Sequence, residues 1–316
     1  MSKPTIATVM PNYNHAAYLP AAIESVLSQT RPPDEFLILD DASTDNSVEV
    51  IRSYAGDNPT IRLIQGTVNI GVHAAHRRLF ELATCDYIDP MAADDLRYPR
   101  CYELALAMAE QYPRAGILFG KMVMSSAAGV PEATLGASAW MQSTYAEPER
   151  FMREYLEREP PSQSLMAATF FRREPFREVG WYCEELGPWG DTLAANAIAL
   201  KYGACYVPEP FACWRKAPGS FSQKTSIDPR ATLDLINRAA SVMRSKRFRP
   251  YFPDPFVKRW KRAYAWRTIK EYWRCDNTDE IPLGASIWTR YRHRVPRTLE
   301  ALSLFWHRSD PSSASR

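Results

Sequence analysis

The chain has 316 residues, 46% of them hydrophobic, enough to bury a sizeable core in one large domain or two smaller ones. No apolar run reaches the roughly 18 residues a membrane-spanning helix needs, and Met1-Ser2-Lys3-Pro4 opens without the apolar segment of a signal peptide, so a cytoplasmic location is expected. Net charge is only +3 but divides unevenly: residues 228–316 hold 19 Lys+Arg and 9 Asp+Glu, while residues 1–227 hold 20 and 27. An acidic body and a basic tail suggest two functional parts.

In chain order, Thr5 to Met10 is an apolar run ended by Pro11, which reads as a strand. Leu19 to Gln29 has apolar residues at helical spacing. Phe36 to Leu39 is a fully apolar strand closed by Asp40-Asp41, and Ser43-Thr44-Asp45 offers N-cap oxygens to a helix running to about Tyr54. A strand at Ile61 to Ile64, a helix at Val72 to Ala83 and a strand at Tyr87 to Ala92 follow. A helix at Tyr98 to Tyr112 and a strand at Gly116 to Gly120 complete the regular part. Residues 125 to 147, rich in Ala, Gly and Ser, read as loop. Pro148 to Arg158 reads as a helix, Ser164 to Arg173 as a strand and Asp191 to Tyr202 as a helix, with strands near Cys205 to Val207 and Phe211 to Arg215. From Asp228 the composition turns to Arg, Lys, Trp, Tyr and Phe at helical spacing, and disorder is expected from Asp310.

Alternating strands and helices with continuously apolar strands imply an α/β fold: a Rossmann-like, mainly parallel sheet with helices on both faces. Ligands of such sheets bind at the carboxyl ends of the strands. That rule singles out Pro11 to Asn14, Asp40 to Asp45, Asn69 to Gly71 and Asp94-Asp95. Adjacent ionised acids repel, so two such pairs on one rim suggest that something positive binds there. A magnesium or manganese ion bridging phosphate oxygens supplies that charge, because Mg2+ takes one or two carboxylates and fills its shell with phosphate and water. The six cysteines, Cys85, Cys101, Cys183, Cys205, Cys213 and Cys275, are scattered, which speaks against zinc and against a disulfide framework.

Five motifs occur in order: Pro11-Asn12-Tyr13-Asn14, Ile23 to Thr30 (IESVLSQT), Asp40 to Asp45 (DDASTD), Asn69-Ile70-Gly71 and Ala93-Asp94-Asp95. Together they resemble the family 2 glycosyltransferases over roughly residues 4 to 222. The resemblance implies a GT-A-type fold in residues 1–227, with a nucleotide-sugar half to about residue 122 and an acceptor half from 123. It also implies a nucleotide-sugar donor, most simply UDP-linked. By the same resemblance, Asp41 accepts a hydrogen bond from the donor's base, Pro11 and Tyr13 wall the base pocket, Asn14, Asn69 and Gly71 complete the donor rim, Asp94 lies near the ribose, and Asp95 is the ligand of Mg2+ or Mn2+ on the diphosphate.

Trp189-Gly190-Asp191 resembles the family's acidic motif with Gly190 in place of its first acid, which leaves Asp191 as the general base of an inverting transfer; a plain helix-capping role is the alternative. Trp214-Arg215-Lys216 and Pro218-Gly219-Ser220 resemble the segment that closes over the donor, where Arg215 would meet the leaving diphosphate, although solvated loop cations look the same in sequence. After Gly71 the family usually shows Ala-Arg-Asn; here Arg77 or Arg78, with His76 nearby, takes the place of that cation, or forms a plain surface pair. Pro90 suggests an edge or bulged strand leading to Asp94. The Q/R-x-x-R-W signature of processive members is absent, which favours addition of one sugar.

In the tail, Phe256, Trp260 and Tyr264, then Trp266, Ile269 and Trp273, recur at helical spacing among Lys and Arg. Trp288, Arg290, Tyr291, Arg292, Arg294, Phe305 and Trp306 repeat the character. Such a surface suits an anionic membrane reached through residues 244–306, on the inner face of the cell membrane, with a saccharide or lipid-linked acceptor from cell-envelope polysaccharide synthesis. Packing of the aromatics within the protein is the alternative, and no nucleic-acid partner is expected. Two other functions compete: a sugar nucleotidyltransferase, whose Gly-rich basic loop is missing from Met10-Pro11-Asn12-Tyr13, and a non-catalytic binding partner, which the loss of acid at Gly190 favours.

Overall fold

The computed structural model describes residues 3–158, 166–216 and 229–274. The chain forms two compact units, Met1–Pro218 and Gly219–Arg316. The start of the strand expected from Ser164, the Pro218-Gly219-Ser220 segment, Cys275, the second aromatic cluster (Trp288 to Trp306) and the tail from Asp310 lie outside the described residues.

The first unit opens with β1 (Ile6–Asn12), α1 (Leu19–Leu27), β2 (Glu35–Asp40), α2 (Ser47–Asp57), β3 (Ile61–Gln65) and α3 (Val72–Leu82). It continues with β4 (Tyr87–Pro90), β5 (Leu96–Arg97), α4 (Cys101–Gln111), β6 (Ile117–Ser126), β7 (Pro131–Leu135) and β8 (Thr144–Ala146). Then come α5 (Pro148–Phe151), running into a π-helical turn at Met152–Leu156, β9 (Thr169–Arg172), α6 (Arg173–Glu178), α7 (Gly190–Tyr202) and β10 (Ala204–Lys216). The strands lie in one sheet in the order β3-β2-β1-β4-β9-β6-β10-β5, with β7 on β6 and β8 on β10. The block β3-β2-β1-β4 is parallel, β9 enters antiparallel, and β6 and β10 are parallel to each other.

The reason for the parallel block is visible in β1. Ile6, Ala7, Thr8, Val9 and Met10 are all buried, so side chains on both faces of the strand are covered. Helix α1 buries Leu19, Ala22, Ile23 and Val26 along one stripe and starts with Pro20 in its first turn, where a missing N–H costs nothing. Helix α3 packs on β1 and β2, and α4 on β6 and β10.

Four local expectations change. Pro11 does not end β1: it continues the ladder opposite Leu39, and the strand runs to Asn12. The region 125–147 is not loop throughout, because β6 extends to Ser126 and β7 and β8 pair with β6 and β10. The two strands expected at 205–215 are one 13-residue strand, β10, with register shifts between Tyr206 and Ala212 that accommodate Pro208 and Pro210. Strand β4 is interior rather than edge, but β9 pairs only with Tyr87 and Ile88, so Pro90 sits where the ladder on that side has ended.

In the second unit, α8 (Pro229–Arg244) and α9 (Asp254–Arg274) pack on each other. Leu233, Ile236, Ala239, Ala240 and Met243 of α8, and Phe256, Val257 and Ala265 of α9, are buried.

Candidate active site

The rim expected at the carboxyl ends of the parallel strands is assembled largely by side chains that bond to backbone. Asp40, at the end of β2, accepts from Asn12 Nδ2 (2.8 Å), from the Ser43 N–H (3.0 Å) and from the Ser43 hydroxyl (2.6 Å), so it is a turn-former with its oxygens in use. Asn14 has φ +57°, and its Oδ1 accepts the Thr44 N–H at 2.7 Å; this clip joins the end of β1 to the loop after β2. The buried Asp41 carboxylate accepts the N–H groups of Ile70 and Gly71, both at 2.9 Å, and the Asn69 side chain also accepts the Gly71 N–H at 3.0 Å. Gly71 has φ +83°, which favours glycine. Pro11, Asn14, Asp41, Asn69 and Gly71 therefore belong to one rim, with Tyr13 and Ile70 exposed on it as large apolar surfaces. Each carboxylate oxygen of Asp41 keeps a second lone pair for another donor.

Asp94 and Asp95 lie in the turn between β4 and β5 and are both buried. Asp95 Oδ1 accepts the Arg215 backbone N–H at 3.1 Å. The Arg215 guanidinium is itself buried: Nε donates to the Asp94 carbonyl, and the group lies 5.0 Å from the Tyr18 ring centroid. Arg215 is thus fastened to the acidic turn and is not a solvated loop cation. Among the described residues, no donor meets the Asp94 carboxylate or Asp95 Oδ2. Burial first, and the Asp94 charge second, raise the pKa of Asp95; Arg97, the Arg215 N–H and the Arg215 charge oppose them. Two adjacent buried carboxylates with open oxygens are a hard, anionic donor set of the kind that suits Mg2+ or Mn2+. Among the described residues no cluster of three or more His, Cys, Asp or Glu forms a metal cage; a cation that takes one or two protein carboxylates and completes its shell with phosphate does not need one.

Asp191 is the second residue of α7. It is half-buried, and its Oδ1 accepts the Thr192 N–H and, at 3.0 Å, the Thr192 hydroxyl. Burial pushes its pKa up to about 6 against those bonds. The structure also accounts for the residue before it. A Cβ on Gly190 would collide with the Cys183 carbonyl oxygen, so no acid fits in this packing.

The α3 cations are less tightly engaged. Arg77 pairs with Glu184 (Nε–Oε1 3.3 Å) with both side chains about half exposed, and Arg78 is exposed. His76 is held between Phe80 and Tyr182 (both centroids 5.5 Å), with Nδ1 2.9 Å from the Val72 carbonyl. Burial lowers its pKa to about 4, so it is neutral at pH 7 and not the missing cation.

Sequence reasoning missed Tyr18 under Arg215, Tyr182, and a buried pair beneath the acidic turn. The Tyr182 phenol is shifted well upward by burial, then by the charges of Asp191 and Asp89. Arg97 donates from Nε (2.8 Å) and Nη2 (2.6 Å) to the two oxygens of Asp89. The only hint of it in sequence was a charge inside an apolar strand.

The profile of glycosyl transferase family 2 matches residues 8–180. The chain is 38% identical over 104 residues to the uncharacterized glycosyltransferase YibD of Escherichia coli K12, a match spanning 33% of this chain and 30% of that relative's length. In fold it is similar to S. aureus TarS 1-349 in complex with UDP-GlcNAc, at 14% identity and TM-score 0.67, covering 95% of this chain and 80% of that one. It is also similar to the mannosyltransferase PcManGT of Pyrobaculum calidifontis in complex with GDP-Man and Mn2+, at 17% identity and TM-score 0.59, covering 100% of this chain and 77% of that one. These likenesses match the GT-A-type sheet described above.

Proposed function

Because the chain belongs to glycosyl transferase family 2, we propose that it transfers one sugar from a nucleotide-sugar donor, UDP-linked, to a hydroxyl of a saccharide or lipid-linked saccharide, with inversion. The observation that carries this reading is the open carboxylate pair Asp94-Asp95 on the same rim as Asp41 and the Asn69–Gly71 loop. TarS with UDP-GlcNAc and PcManGT with GDP-Man and Mn2+ support the donor class and the ion.

In this reading the base rests on Pro11 and Tyr13 and donates to Asp41. Asp94 faces the ribose, and Asp95 holds Mg2+ or Mn2+, which neutralises diphosphate charge when bound. Arg215 keeps the acidic turn in place and lends positive charge beside the diphosphate, with Arg77 and Arg78 as a looser cationic flank. Asp191 accepts the acceptor hydroxyl's proton as that oxygen bonds to the anomeric carbon. The bond from that carbon to the diphosphate breaks on the opposite face, and its electron pair leaves with the nucleotide. A base with a pKa near 6 is largely ionised at pH 7 yet basic enough to assist the attack.

A lipid-linked acceptor suits a chain that rests on an anionic membrane, and α9 offers the surface. Lys258, Arg259, Arg262, Trp266 and Lys270 are exposed along one face of the helix. Trp266 is 72% exposed, whereas Phe256 is buried and Trp260 and Tyr264 pack on each other at 4.6 Å. Among the described residues no helix is long and apolar enough to cross a membrane.

The test is a thermal-shift screen of UDP-, GDP- and dTDP-sugars with and without manganese, on wild type and Asp95→Asn. The expected outcome is a manganese-dependent rise in Tm with the UDP-sugar, lost in the variant. A rise of equal size in the variant removes Asp95 from the site. Donor binding without turnover on any acceptor would favour the non-catalytic reading.

A further inference from the structure

Beneath the acidic turn, Asp89 near the end of β4 and Arg97 on β5 form an ion pair with both side chains 0% exposed. The five residues between β4 and β5, Met91 to Asp95, close over it. Strand β4 belongs to the parallel block and β5 pairs with β10 at the far end of the sheet, so no strand–strand hydrogen bonds join β4 to β5. The fork of Arg97 makes that connection instead, and its Nη2 also reaches the Pro90 carbonyl at 3.4 Å. Asp89 is oriented in turn by the Tyr102 hydroxyl at 2.6 Å, which shares a 2.7 Å bond with Thr8 on β1. The crest of the same turn is held by Arg215.

Stability alone does not call for this pair. Two charges taken fully out of water are weak stabilisers, and a well-packed apolar pair of similar volume is often as good or better. Arg97 also keeps a buried Nη1 without a hydrogen-bond partner, an added cost. What the pair supplies is geometry: a planar fork on a carboxylate fixes both distance and orientation at the base of the turn.

We infer that Asp89 and Arg97 are positioning residues that hold the Asp94-Asp95 turn in the arrangement that binds a divalent cation with a nucleotide diphosphate. The inference rests on the placement of Asp95 at the metal–diphosphate site proposed above.

The experiment compares wild type, Asp89→Leu/Arg97→Met and Arg97→Lys by calorimetric titration with UDP, with and without Mn2+, alongside thermal unfolding. Supporting groups behind metal ligands typically change affinity by about 10–100-fold. The double variant is expected to unfold at or above the wild-type Tm while its manganese-dependent UDP affinity falls at least about tenfold. Manganese-free UDP binding, which relies on Asp41 and the base shelf, stays the same. Arg97→Lys keeps the charge but loses the fork, so it lowers the manganese-dependent affinity as well. Wild-type affinity in the folded double variant overturns the inference; should that variant not fold, wild-type affinity in Arg97→Lys overturns it equally. Absence of manganese-dependent UDP binding in the wild type itself would instead remove the metal site, and the clamp with it.

Discussion

A carboxylate that receives a proton near neutral pH must be buried enough to want it and open enough to meet the donor. Asp191 has this balance: half-buried at the start of α7, it is raised by burial to about 6 while the Thr192 N–H and hydroxyl pull the other way. If it is the base, kcat/KM should rise about tenfold per pH unit below about 6 and level off above, because only the ionised form accepts the proton. Asp191→Asn is expected to lose transfer and keep manganese-dependent UDP binding. The same shift affects stability. The folded pKa lies above the ordinary 3.8, so between about pH 4 and 6 the folded chain holds a proton that the unfolded chain has released. Stability therefore falls as pH rises through that window. Asp191→Asn, which removes the charge and keeps an acceptor for Thr192, should be more stable than wild type by about 1–2 kcal/mol above pH 6, after allowance for solvent screening at a half-buried site. The gap should close toward pH 4. Urea unfolding at pH 5 and pH 8 measures it; an equal gap at both would show that burial of charge is not what holds Asp191 back.

Helix α7 shows how an element's packing decides which acids a site can have. Gly190 opens the helix against the backbone of Cys183, where a Cβ would collide. Gly190→Ala should therefore destabilise by about 1–3 kcal/mol, the usual range for overpacking, and lower kcat more than donor affinity, since Asp191 moves with the helix start. Thermal unfolding together with a kcat-against-KM comparison checks this; an unchanged Tm would mean that the Cys183 backbone yields freely. The glycine was legible in the sequence as a missing acid, but its cause was not, because the obstacle is the backbone of Cys183, an extended residue seven positions upstream, just before a 3-10 turn (Glu184–Trp189) that carries no periodic signal. The same division runs through the sheet. Strands β1 and β2 were legible because burial on both faces makes them continuously apolar. Strand β7 was not, since four of its five residues are exposed and only its pairing with β6 makes it a strand. Strand β10 read as two pieces because Pro208 and Pro210 look like breakers until the bulges that absorb them are seen. The rim motifs were legible as an ordered set of acids, Asn and Gly. The Asp89–Arg97 pair was not, because a buried ion pair eight residues apart follows no helical or strand period.

At the scale of the whole molecule, charge is unevenly spread along the sequence: residues 228–316 carry a net +10 and residues 1–227 a net −7. Among the described residues of the second unit, α9 places part of that charge on one face. Burial of Val257, Lys261 and Ala265 fixes which side of the helix faces inward, and the steps from Lys258 and Arg259 to Arg262, Trp266 and Lys270 then run along the outward side. An exposed indole flanked by cations has the chemistry of a membrane interface: cations meet anionic headgroups while the ring sits at headgroup depth. Each basic residue near such a surface contributes about 1 kcal/mol, or roughly fivefold in partition, so Lys258→Gln, Arg259→Gln and Arg262→Gln together should weaken binding on the order of a hundredfold. Vesicle co-sedimentation with phosphatidylcholine alone and with roughly a quarter phosphatidylglycerol reads this directly, and added salt should weaken binding to the anionic vesicles as it screens the surface. Trp266→Ala should lower binding to anionic vesicles with little change in that salt dependence, because it removes the interfacial ring and keeps the charge. Equal binding to both vesicle types, or no loss in the triple variant, would assign the face to solvent. The proposed donor site supplies a separate control: UDP–Mn2+ binding should be the same in all these variants, since none of the substituted residues belongs to the unit that carries Asp41, Asp95 and Asp191.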